Sequence, residues 1–430
     1  MDLLARCPAS GAADILDDGA DTITLDALTA RVAAAAAQLR SDPPPGGVHL
    51  LSIESDFDGI IELLATWAAG LVAAPLNPML TPEQRTRASE ALSTATLPEE
   101  TCTVLWTSGT SGTPRGVALS WASLEASARG SRTRLDLRGD DVWLASLSPA
   151  HVGGVALVTR ALLLGNRLVA SGRFDVERAI AALESDEGPT HLSLVPTQLH
   201  RLLDAWRRPE APSRLRCILI GGAHAPSGLV TRAVRQGWPI ALTYGATEMT
   251  SQIATATPAE VRAGPLDVGV PLPGVEVLIA DDGEILARGA TRALAYVAGD
   301  SRPLADPDGW YHTGDIGRLD SGGRLTVTGR RIDRIVTGGV TLDAIEIEEA
   351  LRGHPAVHDV CVVGVPDEVW GERVAAWVEP VEGEFDLDDV ESWASEALGS
   401  SSRPRLWKVG GTLPRNANGK VDRAEVRSAF

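Results

Sequence analysis

Short apolar runs that stop at glycine, serine or proline, separated by helical patterns, constrain this chain more than any other feature. TVLWTSG (103–109), HLSLVP (191–196) and RCILIGG (216–222) are of this kind. Such runs, without polar alternation, fit strands buried on both faces, as in parallel sheets. Their small terminal residues would deliver loops at the carboxyl ends, where open α/β sheets place ligands. DALTARVAAAAAQLR (26–40) reads as an Ala-rich helix closed by Pro43, Pro44 and Pro45. VHLLSI (48–53) reads as a strand, and GIIELLATWAAGLVAAPLN (59–77) as a helix running into a strand. Strands alternating with helices predict an α/β fold.

The texture changes near residue 264. GPLDVGVPLPGVEVLIADDGEILARG is rich in turns with short alternating strands, which suits a small β subdomain. From about residue 331 a mixed unit follows: a helix at AIEIEEALRGH, strands at DVCVVGVP and ERVAAWVEP, a helix near LDDVESWASEAL, and a tail. The expected layout is a large N-terminal domain (1–329) with parallel-type sheets and the β subdomain, then a small α+β C-terminal domain (334–430). A chain of 430 residues suits two or three domains at roughly 100–200 residues each.

Composition removes several function classes. A net charge of −18 disfavours nucleic acid and anionic membranes as partners. No run reaches the ~18 apolar residues of a spanning helix, so membrane insertion is not expected. Cys7, Cys102, Cys217 and Cys361 are scattered, without zinc-ligand spacing, and suit a reducing, cytoplasmic compartment. Arginine supplies almost all the positive charge. Lys408 and Lys420 are the only lysines, so each retained lysine carries more information than usual.

TSGTSGTPRG (107–116) follows an apolar strand directly. Its glycines, among them Gly109 and Gly112, open backbone N–H groups to an anion. Thr107, Ser108, Thr110, Ser111 and Thr113 add hydroxyls, and Arg115 adds a charge that can meet a polyphosphate. No G-K-[ST] is present, so this is not a Walker A loop. An ordinary Ser/Thr/Gly surface loop would not need the buried strand before it. The segment resembles the phosphate-binding loop of the adenylate-forming superfamily of acyl-CoA synthetases, adenylation domains and luciferases, T-S-G-T-T-G-x-P-K-G. Ser111 replaces Thr and keeps the hydroxyl; Arg115 replaces Lys and keeps the charge.

Further motifs follow in order. YGATE (244–248) offers a Tyr face for a purine, a Thr247 hydroxyl for a phosphate oxygen, and in Glu248 a hard oxygen ligand for Mg²⁺. YHTGD (311–315) sets Asp315 on a glycine turn. The resemblance implies that Tyr244, Thr247 and Glu248 do those three jobs, with Glu248 on the metal. It assigns Gly222 and Ala223 to the nucleotide, and Asp315, assisted by Arg330, to the ribose. It also implies a hinge within 330–333, where Ile332 stands at a usually polar position, and a mobile C-terminal domain. GGVTLDAIEIE (338–348) resembles the loop and helix that open that domain, with Gly338 and Gly339 near the thioester-forming face; Thr341 and Ala344 replace the usual Asn and Pro. LPRNANGKVDR (413–423) matches the segment of the family's catalytic lysine, which falls on Lys420. An ammonium there could meet the carboxylate and the α-phosphate as charge concentrates. Lys408 is read as structural or solvated.

The resemblance implies an ATP-, Mg²⁺- and coenzyme A-dependent ligase that adenylates a carboxylic acid. Amino-acid-activating members hold the amine with an acidic residue near HVGG, and SLSPAHVGGVALVTRALLLGNRLV (146–169) contains none. Arg160 instead stands alone in an apolar helical run. It either snorkels to solvent or offers a cation to a second substrate carboxylate. SLSPAHVGG, SLVPTQLHRLL and YGATEMTSQI, with a shortened segment before the phosphate loop, resemble the o-succinylbenzoate–CoA ligases of menaquinone biosynthesis. In that reading His151, Ser193 and Thr197 line the acyl pocket, although His151 is equally suited to a packing role. The alternatives are another aryl- or acyl-CoA ligase, an adenylate-forming amide synthetase, or a non-catalytic nucleotide-binding protein. Assembly is left open, a homodimer being one option.

Overall fold

The computed structural model describes residues 3–19, 21–107, 115–264, 266–298, 303–415 and 421–430. A nine-stranded sheet carries two of the three strands predicted from the apolar runs, His191–Leu194 and Cys217–Ile220. In spatial order its strands are Val270–Pro271, Ser251–Ala256, Ile240–Ala246, Cys217–Ile220, His191–Leu194, Val142–Ala145, Arg167–Ala170, Asp14–Asp17 and Thr22–Thr24. The six from Ile240–Ala246 to Asp14–Asp17 run parallel, and antiparallel strands finish both edges.

Alternate residues of these strands face two cores. Leu192, Leu194, Ile218, Ile220 and Leu242 pack in one cluster, toward helices Val176–Glu184, Pro196–Ala205 and Ser227–Arg235. Trp143, Cys217, Leu219 and Ala241 pack in the other, with Trp67, Leu105 and Leu157. The second layer also takes in a five-stranded sheet ordered Ala295–Ala298, Arg115–Ser120, Thr101–Thr107, Val72–Pro75 and Val48–Leu51. Burial on both faces is why these strands read as unbroken apolar runs.

One expectation is corrected here. Thr101–Thr107 runs parallel to Val72–Pro75, but antiparallel to Arg115–Ser120, with Thr107 opposite Arg115. The segment between them is too short for a parallel crossover, which takes roughly a dozen residues or more. The strand before the glycine-rich stretch is therefore parallel to its neighbour on one side only. Residues 108–114, with Ser108, Gly109, Thr110, Ser111 and Gly112, lie outside the described residues.

Helix Val152–Leu164 is apolar nearly all round because almost all of it is buried, and it ends where Gly165 adopts a left-handed conformation at φ 74°. The predicted β subdomain is a four-stranded antiparallel sheet of Val275–Ile279, Glu284–Gly289, Tyr311–Leu319 and Leu325–Arg330. Residues from Arg334 onward build a further sheet, with strands Val340–Asp343, Arg334–Thr337, Gly371–Pro380 and Val357–Asp367. It has its own core of Ile335, Ile347, Leu351, Val360, Val362, Val374 and Val390. The tail is not irregular throughout: Leu406–Val409 adds a parallel strand and Arg423–Ser428 a short helix. No helix among the described residues is long and apolar enough to cross a membrane.

Candidate active site

Two carboxylates organise the site. Strand Ile240–Ala246 brings Tyr244 to the β subdomain, where its hydroxyl donates to Asp315 Oδ2 at 2.7 Å. Arg330, opposite Asp315 in the strand register, sets Nε 3.0 Å from Oδ1. Asp315 is buried, with its backbone N–H donating to Thr313 Oγ1. Burial first, and then the Asp315 charge, push the Tyr244 hydroxyl well above its usual pKa, so it stays a donor. Three residues predicted from separate motifs thus meet around one carboxylate.

Glu248 sits in the short helical turn Thr247–Met249. It is 8% exposed, forms no ion pair among the described residues, and accepts a hydrogen bond from the Tyr296 hydroxyl at 3.0 Å. The Arg115 guanidinium lies 5.8 Å from the centre of the Tyr296 ring, so one tyrosine links the end of the phosphate-loop segment to Glu248. A buried carboxylate without a cation fits Mg²⁺. Among the described residues no group of three or more His, Cys, Asp or Glu could hold a metal. A divalent ion here would therefore draw most of its oxygen ligands from phosphates and water. The backbone beside Glu248 is strained. Thr250 (φ 49°) and Ser251 (φ 93°) are both left-handed without being glycine. Gly245 is required close by, since a Cβ on it would fall 1.8 Å from the Ser251 carbonyl oxygen.

Burial decides between the two readings of Arg160. It is only 3% exposed, so it does not snorkel. Nη1 donates to Gln252 Oε1 at 3.0 Å, and the guanidinium carbon lies 4.6 Å from the centre of the Trp143 ring. No carboxylate pairs with it among the described residues, and Nε is buried without a partner. Burial lowers its pKa to about 10, which still leaves it charged at neutral pH. Ser193 shares a strand face with His191, two residues away, and His191 stacks on Trp143 at 4.8 Å. The Ser193 hydroxyl is also buried and unpartnered. Buried polar atoms are seldom left unpaired, so two on one face suit a polar ligand group.

The remaining predicted residues are more dispersed. His151 precedes helix Val152–Leu164 as its N-cap residue, half-buried. Thr197 is exposed on the first turn of helix Pro196–Ala205. Gly222 takes a left-handed turn (φ 79°) after strand Cys217–Ile220, with Ala223 next to it. Gly338 and Gly339 close a tight turn on the C-terminal sheet, where Gly338 N–H donates to the Trp370 carbonyl at 2.9 Å. Lys420 lies outside the described residues.

Sequence reading missed Tyr296, Gln252 and Trp143. A signal existed for the first. The chain has three tyrosines, and Tyr244, Tyr296 and Tyr311 all face the Glu248–Asp315 region. It also missed Glu349, whose Oε1 lies 3.1 Å from His224 Nε2 and whose Oε2 accepts from the Ser227 N–H at 3.0 Å. Burial would raise the Glu349 pKa, but His224 and Ser227 outweigh it and hold it at about 2. The C-terminal unit thereby touches the segment just past Gly222 and Ala223.

Residues 84–297 match a family model described as AMP-binding enzyme, and residues 346–420 one described as AMP-binding enzyme C-terminal domain. The chain belongs to the AMP-binding enzyme family. Within it, the 2-succinylbenzoate–CoA ligase of Bacillus mycoides (strain KBAB4) is 38% identical over 339 residues, 76% of this chain and 70% of that relative. The o-succinylbenzoate CoA synthetase of Bacillus subtilis, in complex with the acyl-adenylate intermediate OSB-AMP, has a TM-score of 0.91 and 27% identity, covering 99% of this chain and 97% of that one. The same enzyme in complex with ATP and magnesium ion gives 0.90 at 26% identity, covering 99% and 98%. An amide bond synthetase from Marinactinospora thermotolerans gives 0.90 at 26% identity, covering 100% and 98%. The sequence-level resemblance to adenylate-forming enzymes, and to o-succinylbenzoate–CoA ligases among them, is borne out.

Proposed function

We propose that this protein is an acid–thiol ligase that adenylates o-succinylbenzoate with ATP and passes the acyl group to coenzyme A, as menaquinone biosynthesis requires. The observation that carries the choice of acid is Arg160: a buried cation without a counter-ion among the described residues, its Nε unpaired. Burying a lone charge costs several kcal/mol, on the order of what a ligand carboxylate could offset. o-Succinylbenzoate has one carboxylate to activate and a second to place there. His151, Ser193 and Thr197 would line the acyl pocket.

In this reading the triphosphate lies on 107–116, held by backbone N–H groups, the hydroxyls of Thr107, Ser108, Thr110 and Ser111, and Arg115. Gly222, Ala223 and Tyr244 border the adenine, and Asp315 with Arg330 holds the ribose. Glu248 would hold Mg²⁺, which supplies charge neutralisation at the phosphates. A substrate carboxylate oxygen attacks the α-phosphorus, the bond to the bridging oxygen breaks, and pyrophosphate leaves. The Thr247 hydroxyl and the Lys420 ammonium neutralise charge that builds on the phosphoryl and carboxyl oxygens. The CoA sulfur then attacks the acyl carbon and AMP departs, its thiol proton passing to solvent. Gly338 and Gly339 leave room for the thiol arm once the unit from 334 turns about a hinge at 330–333. Chemistry of this type rests on positioning and electrostatics, without a covalent protein intermediate. The four free cysteines suit a cytoplasmic setting.

Likeness to the amide bond synthetase keeps a second acceptor in view, an amine in place of the thiol. The deciding experiment is acyl transfer from ATP and o-succinylbenzoate to CoA, run beside benzoate, a medium-chain fatty acid and amine acceptors. Strong preference for o-succinylbenzoate and CoA, lost for the acid in Arg160→Ala, is expected. Turnover of the other acids without o-succinylbenzoate would return the protein to a generic acyl-CoA ligase. Amide without thioester would reassign the acceptor. No pyrophosphate release with any acid would leave a nucleotide-binding protein without catalysis.

A further inference from the structure

We propose that Gln252 is a positioning residue that sets Arg160 for the second carboxylate of the substrate, and that Thr255 and Thr243 lock Gln252 in the one amide orientation that does so. This rests on the reading of Arg160 as the second-carboxylate site.

The hydrogen-bond network dictates the orientation. Gln252 is 2% exposed on strand Ser251–Ala256. The Thr243 hydroxyl donates to the Ala254 carbonyl at 2.9 Å, so its oxygen can only accept from other groups. Thr255 Oγ1, 2.9 Å away, must then be the donor between the two hydroxyls. That leaves Thr255 Oγ1 to accept from Gln252 Nε2 at 2.8 Å, with Thr243 Oγ1 at 3.4 Å from the same nitrogen. The amide NH₂ is thus fixed toward the threonines and Oε1 toward Arg160. The Ser131 hydroxyl also donates to Oε1. A flipped amide would face its N–H donors toward the guanidinium and its oxygen toward threonine oxygens whose protons are already donated elsewhere.

The consequence falls on Arg160. Its Nη1 is taken by Gln252 and its face by Trp143, which together fix the plane of the guanidinium. Nε, buried and unpartnered, lies on the edge left for a planar bidentate anion. A neutral amide does this without neutralising the cation. A carboxylate at position 252 would position Arg160 equally well while cancelling the charge the ligand needs.

Two variants test this independently. Gln252→Glu supplies an internal counter-ion, and Thr255→Val removes the acceptor that holds the amide. The readout is the ratio of kcat/KM for o-succinylbenzoate to that for 4-oxo-4-phenylbutanoate, which lacks the ring carboxylate. Arg160→Ala is measured alongside, and folding is checked by circular dichroism. The ratio is expected to fall on the order of ten- to a hundredfold in both variants, through the KM for o-succinylbenzoate. Should Gln252→Glu not fold, Thr255→Val alone decides. A wild-type ratio in a folded variant while Arg160→Ala has lost it would overturn the positioning role and leave the Arg160 reading standing. Equal losses on both acids, ratio unchanged, would make Gln252 merely structural. A wild-type ratio in Arg160→Ala would remove the second-carboxylate site itself, and this proposal with it.

Discussion

The Tyr244 hydroxyl donates to Asp315 Oδ2 at 2.7 Å, and this bond ties the nine-stranded sheet to the β subdomain at the proposed ribose site. A hydrogen bond to a charged group contributes about 1.5–3 kcal/mol. Tyr244→Phe is therefore expected to raise the KM for ATP about tenfold or more, read from pyrophosphate release against ATP concentration. An unchanged KM would mean that Arg330 alone orients the carboxylate.

Glu248 is the carboxylate assigned to Mg²⁺. Glu248→Gln keeps the shape and an oxygen for Tyr296 but removes the charge. Adenylation should fall on the order of 10²-fold, and the Mg²⁺ concentration for half-maximal rate should rise. A rate loss with an unaltered Mg²⁺ requirement would place the metal elsewhere.

Gly245 admits no side chain, with the Ser251 carbonyl oxygen 1.8 Å from an ideal Cβ. The obstacle is backbone, in a turn already strained at Thr250 and Ser251. Gly245→Ala should lower unfolding stability by about 3 kcal/mol, measured by chemical denaturation, and displace Glu248. Wild-type stability and activity together would show that the turn yields freely.

Lys420 is assigned to the first step only. Lys420→Ala should slow adenylation roughly 10²–10³-fold, while thioester formation from supplied acyl-adenylate changes far less. Equal losses in both steps would refute that division.

His191 makes a pH prediction. It is buried between Trp143, Thr190 and Asp141. Burial depresses its pKa, Asp141 opposing and Arg216 and Arg160 adding to the effect. The fold therefore keeps the ring neutral, while the unfolded chain takes up a proton below about pH 6.5. Its contribution to stability is full above that value and is lost as pH falls toward the folded pKa, at up to about 1.4 kcal/mol per pH unit. Between about pH 7.5 and about pH 5.5 the wild-type Tm should drop more than that of His191→Gln. Identical slopes would rule out His191 as the titrating group.

Much of the architecture was legible because burial writes itself into composition. Leu192, Leu194, Ile218 and Ile220 are apolar because helices cover them, and Trp143, Cys217 and Leu219 because they pack in the cluster that takes in helix Val152–Leu164. The direction of Arg115–Ser120 was not legible from the apolar run before it; it came from the shortness of the link to Thr107. Tyr244, Glu248, Asp315 and Arg330 could be singled out because each has a distinct chemistry in a short motif. Gln252 lay inside the stretch YGATEMTSQI and Tyr296 was one of three tyrosines, but neither role could be assigned, since their partners are 92 and 48 residues away in sequence.

The sequence by itself determined the class of chemistry. The order of the motifs from Thr107 to Lys420, and the retention of one lysine where arginine has replaced nearly all others, required no coordinates. Tertiary structure decided what Arg160 is. From the helix sequence alone, snorkelling and burial were both open, because periodicity does not say which elements cover a helix. Packing against Trp143 and Gln252 buries the guanidinium and leaves it charged and without a counter-ion among the described residues. Burial is a property of neighbours brought together by folding, and the energetic cost of a lone buried charge appears only once those neighbours are in place.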